Sequence, residues 1–408
     1  MLACSMIKFM GRTSVKRTSL SLVRLLVAIG VMLPGIAAAQ IAFTKGATYP
    51  TVTYPVVVIM VDLNDDGRLD SVIARDPPSV GILMAQNEGT FGPIMSVAAG
   101  AYPVGLISGD FNGDYQTDLA AAISDNAISI FPGVGDGNFL GPLNLSYNAS
   151  PSSIASSDID ADGVLDVVTT NRAGPDISIF KGNGDGTFQE PKSLFLNGPP
   201  WNAIPECLAF VDLNHDEIQD LVVANGNGSA VTVLLGYPNG LFGQFTLMIA
   251  PGWYTTSVAA ADLDEDGNPD IIVGNWDTTI SVFLGNGEGS FGAPITYSTG
   301  SAITWGETNL ATSDFNGDGH VDLAVSLGNE FRISFFEGRG DGSFHDVYNI
   351  PISEERSGAN SIALADIDGN GRMDVLYVEG GQFGMDPKLS TLMNDIIFIS
   401  NFSGGQVD

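Results

Sequence analysis

Basic residues are scarce in this chain. Its 408 residues hold 16 Lys and Arg against 47 Asp and Glu, with 3 His, for a formal net charge of −31. Lys8, Arg12, Lys16, Arg17 and Arg24 all lie near the N-terminus, and without them 11 basic residues face 47 acidic ones, a net charge of −36. Such acidity repels polyanions and excludes nucleic acid and anionic membrane surfaces as partners. Cysteine is nearly absent: Cys4 lies at the N-terminus, and Cys207 sits in an apolar setting that reads as core. With one cysteine beyond the leader there is no disulfide framework, and some other staple is needed. His215, His320 and His345 form no zinc-type cluster, and no Gly-x-Ser-x-Gly elbow or phosphate loop occurs. Apolar runs long enough to span a bilayer are missing too.

Residues 1–39 read as a signal peptide. A basic segment free of acid precedes the apolar stretch Leu25–Ala39, and Ala37-Ala38-Ala39 ahead of Gln40 fits a signal-peptidase site. The stretch is short for a membrane span and is broken by Pro34. The expectation is export to the periplasm, the cell surface or the medium, with no span left after cleavage. Cys4 is too far from the cleavage point for a lipoprotein anchor. Residues 40–408 then form the mature domain.

Acid is what the chain has in plenty, and it is clustered. Asp262-Leu-Asp264-Glu-Asp266-Gly-Asn-Pro-Asp270 places carboxylates at positions one, three, five and nine of a nine-residue loop. Gly267 at position six permits a sharp turn, and the Asn268 carbonyl at seven adds an oxygen. Hard cations such as Ca²⁺ take six to eight oxygens, and EF-hand loops use the same 1-3-5-7 spacing with Gly at six. Here the closing carboxylate comes at nine and leads into the strand-like Ile271-Ile272-Val273. The loop therefore reads as a calcium-binding β-hairpin rather than a helix–loop–helix.

Six further loops follow the pattern. They present Asp62, Asn64, Asp66 and Asp70; Asp110, Asn112, Asp114 and Asp118; and Asp158, Asp160, Asp162 and Asp166. The others present Asp212, Asn214, Asp216 and Asp220; Asp314, Asn316, Asp318 and Asp322; and Asp366, Asp368, Asn370 and Asp374. The first aspartates are spaced by 48, 48, 54, 50, 52 and 52 residues. Turn composition alone explains one Asp/Gly loop, but not four ligand positions held at this period. A repeat near fifty residues with four strand-like runs is the mark of a β-propeller blade. The fold expected is all-β: seven four-stranded antiparallel blades with up to seven structural Ca²⁺ ions. Tyr115 and Glu217 replace Gly at position six, which strains a turn favouring φ > 0. Loops two and four are therefore expected to bind an ion most weakly.

The repeat resembles the FG-GAP/VCBS family, whose best-known members form the seven-bladed head of integrin α chains. The resemblance rests on the loops, on Phe91-Gly92, Phe242-Gly243 and Phe291-Gly292, and on Gly292-Ala293-Pro294. It covers residues 41–408. The family spans adhesion heads, lectin-like proteins and accessory domains of secreted enzymes, so the resemblance implies fold and calcium more than activity.

Ile41–Tyr49 resembles a fourth strand without its first three, and Asp395–Ser400 a third strand with nothing after it. Paired, they would close the ring and remove its open edges. Glu379–Asn394 then stands out as an insertion in the last blade, and a closed monomer is expected. Alternating strands put the acidic hairpins on one face. The opposite face collects Trp201, Trp253, Trp276 and Trp305, with Tyr254, Asn275 and Asp277 beside them. Aromatics with amides and carboxylates on loops of a rigid scaffold make a surface for a glycan or protein ligand. Equally, the rings can plug the channel or pack under loops. The reading is an exported binding or adhesion module. The alternatives are a carbohydrate-active lyase or hydrolase, with Arg172 and Arg332 among few basic candidates, and a structural element of a surface assembly.

Overall fold

Seven four-stranded antiparallel sheets form a β-propeller in the computed structural model. Residues 43–395 are described apart from 52–53, 77, 88, 148, 197–203, 302–305, 353–357 and 381–385. The expected signal peptide, Trp201 and Trp305 lie outside the described residues. Blade five is representative, with strands Thr255–Ala261, Asp270–Asn275, Thr279–Phe283 and Ile295–Ser298 paired in that order. First strands of consecutive blades pack side by side around the axis, blade seven's against blade one's. Fourth strands lie outermost and are mostly exposed.

Each core cluster sits between two blades. Ile271 and Val273 pack with Val222, Ala224 and Val231 of blade four, while Ile272 packs with Leu310, Leu323 and Val325 of blade six. Every blade but for its outer strand is thus sandwiched, which is why second strands such as Asp270–Asn275 are buried along their whole length. Their sequences are apolar on both faces because both faces meet a neighbour. Cys207 is buried in blade four as expected.

The ring closes through blade seven, whose order is Thr44–Pro50, Lys388–Met393, Asp374–Glu379, Ala359–Ala365. Thr44 lies opposite Met393 and Pro50 opposite Lys388. The closure is the one expected, but the third strand is Lys388–Met393 rather than Asp395–Ser400. Asn394 fixes that register, because its N–H bonds the Asp374 carboxylate as a residue at or within two of the end of strand three does in every other blade. The insertion shrinks accordingly to residues 380–387.

At the end away from the acidic hairpins, six first strands carry a one-residue bulge. The extra residues are Val56, Val104, Ser152, Glu206, Thr256 and Asn360. A bulge re-aims its side chain, and here several reach the next blade. Ser152 Oγ donates to Pro205 O at 2.7 Å, Thr256 Oγ1 meets Thr308 Oγ1 at 2.7 Å, and Asn360 Nδ2 donates to Pro55 O at 3.2 Å. Glu206 holds the equivalent place in blade four.

Candidate functional site

All seven acidic loops take one backbone path. Positions four and six both have positive φ in every loop, from Asp65 (56°) and Gly67 (82°) to Gly369 (76°) and Gly371 (85°). The position-six N–H donates to the position-one carboxylate in all seven, at 2.8–3.1 Å. Tyr115 and Glu217 accept φ of 66° to hold that bond. The strain expected in loops two and four is present, and Tyr115 is also 90% exposed.

The position-nine aspartates are fully or almost fully buried. One carboxylate oxygen accepts the N–H of position two, at 2.8–3.3 Å. The other accepts an N–H at the end of strand three, at 2.6–2.8 Å. This carboxylate ties the hairpin to the far strand of its blade. Burial pushes Asp166, Asp220, Asp270 and Asp374 up to about 6 and Asp322 to about 7, against the pull of those N–H groups. Asp70 and Asp118 are raised by the same cause. Position two, to which the sequence reading gave no role, is an apolar plug: Leu63, Phe111, Ile159, Leu213, Leu263 and Phe315 are buried. Its recurrence as Leu, Ile or Phe was the signal available.

The loops differ at position three. In loops one, two, four and six the Asn amide donates to the position-five carboxylate, at 2.9–3.1 Å. Loops three, five and seven have Asp there. In each of these the acids at positions one, three and nine converge: Asp158, Asp160 and Asp166; Asp262, Asp264 and Asp270; Asp366, Asp368 and Asp374. Asp160 Oδ1, Asp262 Oδ1 and Asp366 Oδ1 are buried without a partner among the described residues. An orphaned buried carboxylate oxygen is costly, and a hard cation would satisfy it, so the residues fit a metal ion. Two of these loops carry partial substitutes. Lys181 pairs with Asp160 in loop three, and Asn370 Nδ2 donates to Asp368 at 3.1 Å in loop seven. Loop five keeps four carboxylates. Neighbouring hairpins also touch: His215 Nε2 lies 3.0 Å from Asn268 Oδ1, and His320 Nδ1 2.5 Å from Glu265 Oε1.

On the opposite face Trp253 is 55% exposed, and Trp276 and Tyr254 are half-buried. Tyr254 and Trp276 meet edge to face at 5.7 Å. The Trp276 N–H donates to the carbonyls of Trp253 and Tyr254, and Gly306 N–H to Trp276 O. Tyr254 adopts φ of 59° and donates its hydroxyl to Glu206 Oε1 at 2.5 Å. Arg172 Nε and Nη2 both donate to Glu206 Oε2, at 3.1 and 2.8 Å. The bulge at Glu206 thus joins blades three, four and five. Burial raises Glu206, opposed by Arg172 and Tyr254. Glu307, beside Gly306, is pushed up to about 7 by burial, with Arg172 pulling it down and Glu206 adding to the rise. Sequence reasoning missed both glutamates, because nothing in their local sequence distinguishes them from other acids.

Asp277 turns inward on its own loop, accepting from Trp253 N at 3.0 Å and Thr279 Oγ1 at 2.7 Å. Asn275 is buried rather than at a surface tip, bonded through Nδ2 to Thr279 and Ser281. Of the basic residues considered for chemistry, Arg172 is paired with Glu206 and Arg332 with Glu330.

Blades and loops together define a repeat propeller whose hairpins carry D-x-[DN]-x-[DN] acidic motifs. The chain belongs to the FG-GAP-like repeat family, whose model matches residues 62–121, 110–169, 158–223, 212–273, 262–325 and 314–377. No curated protein matches it. Among solved structures it is similar to BBS1N in complex with ARL6DN, in a crystal soaked with lead. There the identity is 14% and the TM-score 0.59, over 86% of this chain and 97% of that one. It is also similar to an Agrocybe aegerita lectin described as recognising non-reducing terminal N-acetylglucosamine. That likeness has 21% identity and a TM-score of 0.57, over 74% of this chain and 81% of the lectin. At these identities the likeness concerns the fold.

Proposed function

We propose that the protein is an exported, calcium-stapled binding module that takes a carbohydrate on the face opposite its acidic hairpins. The observation that carries the ligand reading is Trp253, a large apolar ring left more than half exposed beside Trp276 and Tyr254. A rigid aromatic shelf suits the stacking of a sugar face. The lectin among similar propellers supports the same choice. The calcium reading draws on the three orphaned carboxylate oxygens and on the all-oxygen donor set. Positions one, three, five and nine would hold the ion through side chains and position seven through its carbonyl. Bound calcium would neutralise each hairpin, at affinities of about 10⁻⁴–10⁻³ M for extracellular modules. The leader-like residues 1–39 support export.

Glycan arrays with and without EGTA test this. Calcium-dependent binding that is lost in Trp253→Ala and Trp276→Ala, at unchanged melting temperature, is the expected result. Absence of any glycan ligand would turn the reading toward a peptide partner or a structural role. A carbohydrate-active enzyme is the second reading, favoured by Glu307 near 7 beside Glu206, the setting of a general acid. Release of new reducing ends from a bound polysaccharide would decide for it.

A further inference from the structure

We propose that the outer edge of blade four, Phe245–Ile249, pairs antiparallel with the same edge of a second copy of the chain. Two propellers then join rim to rim about a two-fold axis at Leu247. Ring closure seals the two chain ends, but every blade still presents one outer strand. An open edge invites pairing, and propellers keep theirs short and protected.

The residue just after each outer strand donates its N–H inward, as Ala250 does to Ser229 O in blade four and Thr299 to Thr278 O in blade five. Inward and outward groups alternate along an antiparallel edge. The last strand residue, and those two and four before it, therefore point outward. Blades two, three and five place Pro142, Pro191 and Pro294 at the first of these positions. Blades six and seven place Pro351 and Pro50 at the last. Proline has no N–H to offer a neighbouring strand. In blade one Pro93 stands immediately ahead of outward Ile94, and the other two outward residues are the small Ser96 and Ala98. Blade four has Phe245, Leu247 and Ile249 there, paired without a break to Leu234, Thr232 and Ala230. Among the described residues nothing pairs with the free side of this strand.

A second copy fits that edge. Outward residues spaced by two are self-complementary: Leu247 falls opposite Leu247 and Phe245 opposite Ile249, each pair exchanging both N–H···O bonds. No charged residue occurs from Leu221 to Ala261, so two molecules of net charge −31 meet on strands without charge. Exposed Tyr237 and Leu241, at the end of the strand near the acidic hairpins, are carried toward exposed Ile249 of the other copy. Strands this short bury less than the roughly 800 Å² per partner of a standard interface, so the dimer is a weak, concentration-dependent one. Because the strands run antiparallel, the two Trp253 faces point in opposite directions, which suits bridging two surfaces rather than gripping one.

Sedimentation velocity of the full chain in calcium, from about 2 to 200 µM, reads the mass. A shift from monomer to dimer is expected across that range, moved to lower concentration by salt, which screens the like charges. Phe245→Pro copies the place of Pro294 and Ile249→Pro that of Pro351. Each should leave the melting temperature unchanged and weaken dimerisation by at least about ten-fold. Ile249→Thr, which keeps the N–H, should weaken it less. On mild oxidation Leu247→Cys should cross-link to its own copy, and Thr296→Cys, at the equivalent place in blade five, should not. Should a proline variant unfold, the Leu247→Cys cross-link decides. Monomer at every concentration would overturn the proposal, as would a dimer indifferent to both prolines. If Ile249→Thr costs as much as Ile249→Pro, the contact is an apolar patch rather than a paired strand, and the proposal fails.

Discussion

At position three of the acidic loops, one atom separates Asn from Asp, and it changes how the loop closes. The amides of Asn64, Asn112, Asn214 and Asn316 each donate to the carboxylate two residues on. Asp264 has no proton to give at neutral pH, and Asp262 Oδ1 beside it stays orphaned. Asp264→Asn is therefore expected to leave the metal-free melting temperature unchanged or slightly higher, and to shrink the rise that calcium brings. Differential scanning fluorimetry with EGTA and with calcium, plus elemental analysis, would read this. An equal loss in both buffers would remove loop five from the metal account. Asp270 is a poorer probe. Its two oxygens brace Leu263 N and Gly285 N whether or not an ion is present, so its removal destabilises both forms.

Between strand three and the outer turn, the element's geometry depends on glycine. Gly285 donates its N–H to Asp270 while its Cα faces the Pro269 carbonyl, and an added Cβ would stand 2.2 Å from that oxygen. Gly133, Gly182, Gly236 and Gly338 face the same carbonyl of their own blades. Gly285→Ala should cost about 2–3 kcal/mol by forcing strand and hairpin apart, measurable as a lowered urea midpoint. Local strain confined to loop five would also lower its share of bound ion. In sequence this glycine was visible only as part of a Gly-rich turn. Its neighbour, a carbonyl sixteen residues earlier in the chain, becomes apparent once the two strands are side by side.

Over the whole ring, seven buried aspartates govern the response to pH. Their carboxyls bind protons more tightly in the folded state, near 6 to 7 where values are resolved, than the ordinary 3.8 of an unfolded chain. The stabilisation from that preference is complete below 3.8 and is lost as pH climbs through 6 to 7. Metal-free protein should therefore melt several degrees higher at pH 5.5 than at pH 8, helped by the smaller net charge. With saturating calcium the trend should reverse, since protons then compete with the ion. Thermal melts across pH in EGTA and in calcium would check both signs; a flat metal-free profile would count against the buried carboxylates as the controlling groups. Blade number, strand order and loop positions followed from sequence because a fifty-residue repeat writes the same local chemistry seven times. The end of the last strand, the inward turn of Asn275 and Asp277, and the meeting of Arg172, Glu206, Tyr254 and Glu307 were decided by the ring. Those four residues come from blades three to six, and no local pattern records which side chains circular closure brings together.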